Sequence, residues 1–315
     1  MKRMVIALGG NALQDVDSVP TAEAQLKTIK KTTKYIANVI EAGYRVILTH
    51  GNGPQVGRIV IQNEVADKIT PSMPFYICGA MSQGMIGYQL QQTLGDELKS
   101  RGVEKQVATI VTQVVVDKDD PGFNKPTKPI GPFYTREEAE ILIKEKGYAI
   151  VEDSGRGYRR VVASPDPRRI VELETIKTLM DNDNIVIAVG GGGVPVIEEG
   201  GKLKGVAAVI DKDLASEKLA ESIDADILVI LTAVDKVFIN FGRADEKGLD
   251  QVGVDEMKKY IEEGHFAPGS MLPKVLAGIR FAESKPGRKT IITSLDKVEE
   301  ALKGIGGTTI ENIRR

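Results

Sequence analysis

Three lysines stand where a positive charge could do work. "VIDKDLASEKLA" places Asp211 and Lys212 immediately before a helix that the pattern caps with Asp213, and "GSMLPKVLAGIRF" places Lys274 in the first turn after a Ser270 cap. A helix N-terminus is the positive end of the macrodipole, so a bare cation is disfavoured there. An anion between the two lysines would reverse that sign. Lys128, in "PTKPIGP", is braced by nearby prolines that make its position repeatable. Phosphoryl transfer asks for little covalent chemistry and much charge stabilisation, which lysines, backbone N–H groups and a metal ion can supply. Asp211 adds a carboxylate able to orient lysines or touch that metal. The ordinary alternative for any one lysine is a solvated surface charge.

Four glycine-rich or polar segments follow apolar runs: "LGGNA", "THGNGPQVG", "VGGGGVP" and "LTAVDKV". Glycine lets consecutive N–H groups converge on an anion, and Gly51, Asn52 and Gly53 lead into a helix beginning near Pro54, where the dipole also favours negative charge. Each loop alone could be only a tight turn. Other phosphate chemistries fit poorly: there is no G-x-x-x-x-G-K-[ST], and "GNGPQVG" has its last glycine one place late for a dinucleotide fingerprint. The H-R-D and D-F-G elements are missing, and two histidines, His50 and His265, cannot build a histidine-rich metal site. His50 reads as a hydrogen-bonded structural residue.

The elements that must position these residues alternate strand and helix, an α/β pattern with a mainly parallel sheet and ligands at the carboxyl ends of its strands. Strands are expected over Met4–Leu8, Arg45–Thr49, Gln106–Val116, Ile185–Val189, Ile227–Leu231 and Lys289–Thr293. Leu26, Ile29, Thr33, Ile36 and Ile40 recur at helical spacing between a Thr21 cap and Gly43. A second helix covers roughly Ala80 to Arg101, closed by Gly102; Gly84 and Gly87 either weaken it or mark close packing against another helix, of this chain or of a second subunit. Residues 117–167 break the rhythm with a proline-rich stretch, a Thr135/Glu138 capping box and a charged stretch, and read as a small inserted lid. Gly200 and Gly201 mark a hairpin.

With 315 residues, 42% of them hydrophobic, the chain can bury a large core, and 42 basic against 44 acidic residues point to neither nucleic acid nor an anionic membrane as partner. A single cysteine, Cys78, excludes an internal disulfide and fits a reducing cytoplasm. The basic N-terminus is too short for a signal peptide, and no run reaches the ~18–20 apolar residues of a membrane span, so a soluble cytoplasmic protein is expected.

These stretches resemble the carbamate kinases of the amino-acid-kinase superfamily, and so do "GAMSQGMIGY", "EDSGRGYRRVVASPDP" and "EEGHFAPGSMLPKV"; the resemblance runs from Met4 to about Arg280. It implies a three-layer αβα sandwich around a mostly parallel eight-stranded sheet with a protruding lid. The single catalytic domain would have an N-lobe over 1–212, with the lid at 117–167, and a nucleotide-side C-lobe over 213–315. It also implies a homodimer and reversible transfer between ATP and carbamate, giving ADP and carbamoyl phosphate, with Mg²⁺ carried chiefly by the nucleotide phosphates. Carried over by motif, Gly9, Gly10, Asn11, Gly51, Asn52 and Gly53 would hold the carbamate or the transferred phosphoryl group. Lys128, Lys212 and Lys274 would neutralise it, with Asp211 arranging the lysines. Thr232, Ala233, Val234, Asp235, Gly269, Ser270 and Met271 would meet the nucleotide. Many relatives in the superfamily place a lysine two residues before the paired glycines; here that residue is Ala7, and Lys128 is the natural substitute. Two alternatives stay open: an enzyme of this fold acting on another small acid, and a silent nucleotide-binding regulator.

Overall fold

The structure, a computed structural model, describes residues 1–15, 19–153, 155 and 157–313. Ser154 and Arg156 of the "EDSGRGYRR" motif lie outside the described residues.

An eight-stranded sheet forms the centre, in the spatial order Gln251–Gly253, Thr308–Glu311, Lys289–Ser294, Ile227–Thr232, Arg3–Leu8, Arg45–His50, Ile185–Ile187 and Val107–Thr109. From Lys289–Ser294 to Val107–Thr109 every pairing is parallel; Thr308–Glu311 runs antiparallel to Lys289–Ser294 and turns the far edge over. The central strands are continuous apolar runs because both faces are covered. Val5, Ala7, Ile47, Leu228 and Ile230 enter one core with the helices Leu173–Asp181, Lys212–Ser222, Val254–Glu262 and Met271–Ser284. Their neighbours Met4, Ile6, Leu8, Val46, Leu48, Ile227 and Val229 enter the other, with Ala22–Glu41 and Phe75–Ser100. That strict alternation makes the three-layer sandwich, and each fully buried aliphatic side chain contributes about 1.5–3 kcal/mol.

The helix signals act as read. Thr21 accepts from the Ala24 amide, and the Thr135/Glu138 capping box is complete ahead of Arg136–Lys146, which ends at Gly147 in the left-handed region. Gly200 and Gly201 turn a hairpin between Val194–Glu199 and Lys202–Gly205.

Two expectations fail for physical reasons. Gln106–Val116 is not one strand: Val107–Thr109 edges the main sheet, while Gln113–Val116 joins a second sheet beside Val194–Glu199 and Pro167–Ile170. The pivot is buried Thr112, which takes Gln83 Oε1 on its amide at 2.8 Å and accepts from the Val189 amide at 2.9 Å on Oγ1. Gly87 packs not against a helix but under Thr109, whose side chain fills the space of a Cβ; Gly84 meets nothing among the described residues of this chain, which leaves packing against a second subunit untouched.

The insertion has its own three-stranded sheet, in the order Lys128–Tyr134, Tyr158–Val162, Ile150–Glu152, beside the Arg136–Lys146 helix. Its two stems leave from antiparallel neighbours, Gln113–Val116 and Pro167–Ile170. Asp120 ties them, accepting from the Gly122 amide at 2.8 Å and the Asp166 amide at 3.0 Å.

Candidate active site

Adjacent strands end side by side. Leu8 is in register with His50, and Ala7 with Ile230, so the loops at Gly9, Gly51 and Thr232 emerge together. Gly9 has an extended backbone that any residue adopts, with φ −75°, yet a Cβ there would lie 2.6 Å from the Leu231 carbonyl oxygen. Its missing side chain lets two strand ends close on each other, whereas the Cα of Gly10 faces open space. The Gly190–Gly193 loop presses on the site from behind: Gly190 abuts His50, and Gly191, at φ +65°, leaves room only for the Asn52 amide. Asn52 Nδ2 donates to Ser82 Oγ at 2.8 Å. His50 is structural, as expected. Burial pulls its pKa down to about 4, against the Gly51 carbonyl that raises it, and Lys212 lowers it further. The neutral ring is therefore protonated on Nδ1, which donates to Gly51 O at 2.9 Å.

Two carboxylates gather the three lysines. Lys128 Nζ donates to Asp211 Oδ2 at 2.8 Å. Asp211, not Asp213, is the N-cap of Lys212–Ser222; its Oδ1 accepts from the Asp213 amide at 2.9 Å. The reason is one of position: Lys212 is already helical, so only the residue before it can fold a carboxylate over the first turn. Asp213 is thereby free to point inward, with Lys212 Nζ 2.8 Å from Oδ1 and Lys274 Nζ 2.9 Å from Oδ2. Burial would raise the Asp213 pKa, but the two ammonium groups prevail and hold it down to about 2. Lys212 is shifted downward by burial, with Asp213 opposing. Its Nζ is buried, with Asp213 Oδ1 as its counter-charge at 2.8 Å, although the pair falls outside aligned hydrogen-bond geometry. Ser270 precedes Met271–Ser284 but makes no side-chain capping bond, and Lys274 stands in the first turn.

Three cavities line up over these groups. The first, about 480 Å³, is walled by Gly51, Asn52, Gly53, Lys128 and Lys212, with Arg58 and Arg159. The second, about 350 Å³, holds Gly9, Gly10, Asn11 and Lys274 and shares Lys212 with the first. The third, about 560 Å³, shares Thr232 and Ala233 with the second and continues past Val234, Ser270 and Met271. Phe238 and Phe241, with ring centroids 6.0 Å apart, give it an aromatic wall. Asp235 and Gly269 are not among the residues lining these cavities; Asp235 is exposed, and its backbone carbonyl accepts from Thr293 Oγ1.

Sequence reasoning missed Asp213 as organiser, Arg58 and Arg159 in the first cavity, and the Phe238/Phe241 wall. The Asp-Lys-Asp alternation at 211–213 was a usable signal for the first, since alternating charges at a helix start cannot all be caps. Arg159 lies within the charged "EDSGRGYRR" stretch, but nothing local says that this stretch reaches the first cavity, which it does through the insertion's topology.

The model of the amino acid kinase family matches residues 2–294. The carbamate kinase of Clostridium perfringens is 57% identical over 311 residues, covering 98% of this chain and 99% of that protein. That of Thermococcus kodakarensis is 55% identical over 313 residues, with 98% and 99% covered. Among solved structures, the carbamate kinase from Giardia lamblia bound to AMP-PNP superposes with a TM-score of 0.93 at 44% identity, covering 98% of both chains. The chain is a kinase that belongs to the amino acid kinase family and, within it, to the carbamate kinases.

Proposed function

We propose that the chain transfers a phosphoryl group reversibly between ATP and carbamate, giving ADP and carbamoyl phosphate. The observation that carries the reading is Lys212: a buried ammonium lining two adjoining cavities, flanked by Lys128 and Lys274, so that three lysines face only the two carboxylates of Asp211 and Asp213. Such a group calls for an anion. In this reading carbamate lies in the first cavity against Gly51, Asn52 and Gly53, and the moving phosphoryl group lies over Lys212, between that cavity and the Gly9–Asn11 turn. Adenosine occupies the third cavity, against Thr232 to Val234 and Ser270 to Met271. A carbamate oxygen attacks the γ-phosphorus as the bond to the ADP oxygen breaks, with no covalent enzyme intermediate. The lysines and backbone N–H groups take up the charge that spreads over the phosphoryl oxygens. Lys128 brings its charge from the insertion, so closure would complete the site and exclude water from a labile product.

Mg²⁺ would enter on the nucleotide phosphates and shield their charge. The lining of lysines, glycine amides and hydroxyls, with the single carboxylate of Asp296, suits a metal that arrives already bound to phosphate.

A homodimer in the cytoplasm fits the same reading. Ile77, Met81, Met85 and Tyr88 form an exposed stripe on Phe75–Ser100, beside the open edge strand Val107–Thr109. Among the described residues no helix is long and apolar enough to cross a membrane. Sedimentation of the protein, with Tyr88→Glu expected to shift it towards the monomer, tests the dimer.

For the reaction, purified protein is mixed with ADP, Mg²⁺ and carbamoyl phosphate, and ATP is measured. ATP formation well above the uncatalysed background is expected; none would overturn the reading.

A further inference from the structure

The second cavity, the one bridging the acid and base ends of the site, has one carboxylate among its lining residues, that of Asp296. The other nearby carboxylates are engaged: Asp211 holds Lys128 and the Asp213 amide, and Asp213 holds two lysines. Asp296 is different. Its Oδ1 accepts from Ser294 Oγ at 2.7 Å, and no hydrogen bond among the described residues reaches Oδ2. The adjacent Lys297 turns away to Glu300, at 3.1 Å from both carboxylate oxygens. Ser294 also fixes where this carboxylate stands. It is in register with Thr232, so Asp296 lies just beyond the next strand end, in the wall of the second cavity.

Asp296 is exposed, so water satisfies its charge until a ligand arrives; once a polyphosphate enters the cavity, a free carboxylate there is electrostatically misplaced, since like charges repel and the surrounding lysines serve the phosphates. It ceases to be misplaced if a divalent cation stands between. Mg²⁺ sheds water reluctantly and is commonly held by one or two carboxylates together with substrate phosphates, keeping several waters. One carboxylate, steadied by a serine hydroxyl and open on its other oxygen, is the donor such an ion requires.

We propose that Asp296, oriented by Ser294, is the protein's own anchor for the magnesium of the nucleotide complex, receiving the ion's hydration shell on Oδ2. The proposal rests on the nucleotide reading above and adds a residue to it.

Calorimetric titration with ADP, with and without Mg²⁺, tests it, together with electron paramagnetic resonance of Mn²⁺ in the presence of ADP. In the wild type Mg²⁺ is expected to tighten ADP binding. In Asp296→Asn, which keeps an oxygen for Ser294, that gain should shrink by about 10-fold to 100-fold, the usual effect of losing a supporting ligand. Metal-free ADP binding should hold or improve, because a repulsion is removed. Asp296→Glu should recover part of the gain and shift the spectrum of bound Mn²⁺. An undiminished Mg²⁺ gain in Asp296→Asn, a loss of metal-free ADP binding in it, or an unchanged Mn²⁺ spectrum in Asp296→Glu would each overturn the proposal. A wild type that binds ADP under no condition would overturn the nucleotide reading as well; one that binds it indifferently to Mg²⁺ would sink this proposal alone.

Discussion

Lys128 Nζ, on the insertion, donates to Asp211 Oδ2, on the N-cap of a core helix, across 2.8 Å and 83 positions of sequence. The bond joins the insertion to the core. Lys128→Ala should lower turnover about 10²-fold or more while leaving ADP affinity nearly unchanged, the scale of a lost charge-stabilising donor. Asp211→Asn keeps a capping side chain and should cost little stability. If the pair acts as a unit, the double variant should be scarcely slower than Lys128→Ala alone. Additive losses in steady-state kinetics would show that Asp211 acts elsewhere.

Asp213 carries a heavier burden. Its 3% exposed side chain neutralises both Lys212 and Lys274, so Asp213→Asn leaves two mostly buried ammonium groups without a counter-charge. A loss of about 3–5 kcal/mol is expected from breaking such a buried arrangement. Denaturant unfolding should register it, and added phosphate or nucleotide should restore part of it by supplying the missing anion. Equal stability of Asp213→Asn and Asp211→Asn would contradict this division of labour.

The same helix holds a buried carboxyl with a different effect on pH dependence. Glu217 is pushed up to about 7 by burial first and by Glu221 next, with Lys218 and Arg280 opposing and Asp166 adding to the rise. A carboxyl raised in the fold is a liability once the unfolded chain ionises, so its contribution falls as pH climbs from about 4.5 to 7. His50, lowered to about 4 from 6.5, works the other way: its contribution is complete above 6.5 and is lost as pH drops towards 4. The two oppose each other between about pH 4.5 and 6.5. Glu217→Gln should match the wild type near pH 4.5 and exceed it by about 3 kcal/mol above pH 7, the equivalent of the shift. Denaturant unfolding at both pH values measures that difference, and a constant offset would mean that Glu217 does not titrate in this range.

Much of this site was legible locally. Lys212 and Lys274 follow cap-like residues, and Lys128 sits among prolines, so each could be singled out from its own neighbours. Central strands announce themselves because both faces are buried, as in Met4 to Leu8. What stayed hidden depends on contacts between distant segments. Which aspartate caps and which pairs with Lys274 is decided by a helix 61 residues further on. The break at Thr112 is invisible in a run of β-formers because its cause is Gln83 on another helix. Gln251–Gly253 and Thr308–Glu311, the two strands at one end of the sheet, are too short for their alternation to stand out. The role of Gly9 was half legible: a close approach was expected, but the partner is the Leu231 backbone as well as any ligand.

Gly9 and Gly10 therefore separate packing from binding within two adjacent positions. At Gly9 the backbone angles permit alanine, and the obstacle is the carbonyl oxygen of Leu231, which cannot yield without parting the ends of two central strands. Gly9→Ala should lose about 1–3 kcal/mol of stability, as overpacking at a fixed backbone does, and lose activity with it. At Gly10 a methyl group meets nothing within 4 Å, so Gly10→Ala should unfold like the wild type or slightly later. Its methyl would nevertheless project at the wall of the cavity proposed for the phosphoryl group. Turnover in the ATP-forming assay should therefore fall while stability does not. If Gly10→Ala kept full activity, the Gly9–Asn11 turn would be a packing device only, and the phosphoryl group would have to be held by the lysines and the Gly51–Gly53 helix entry alone.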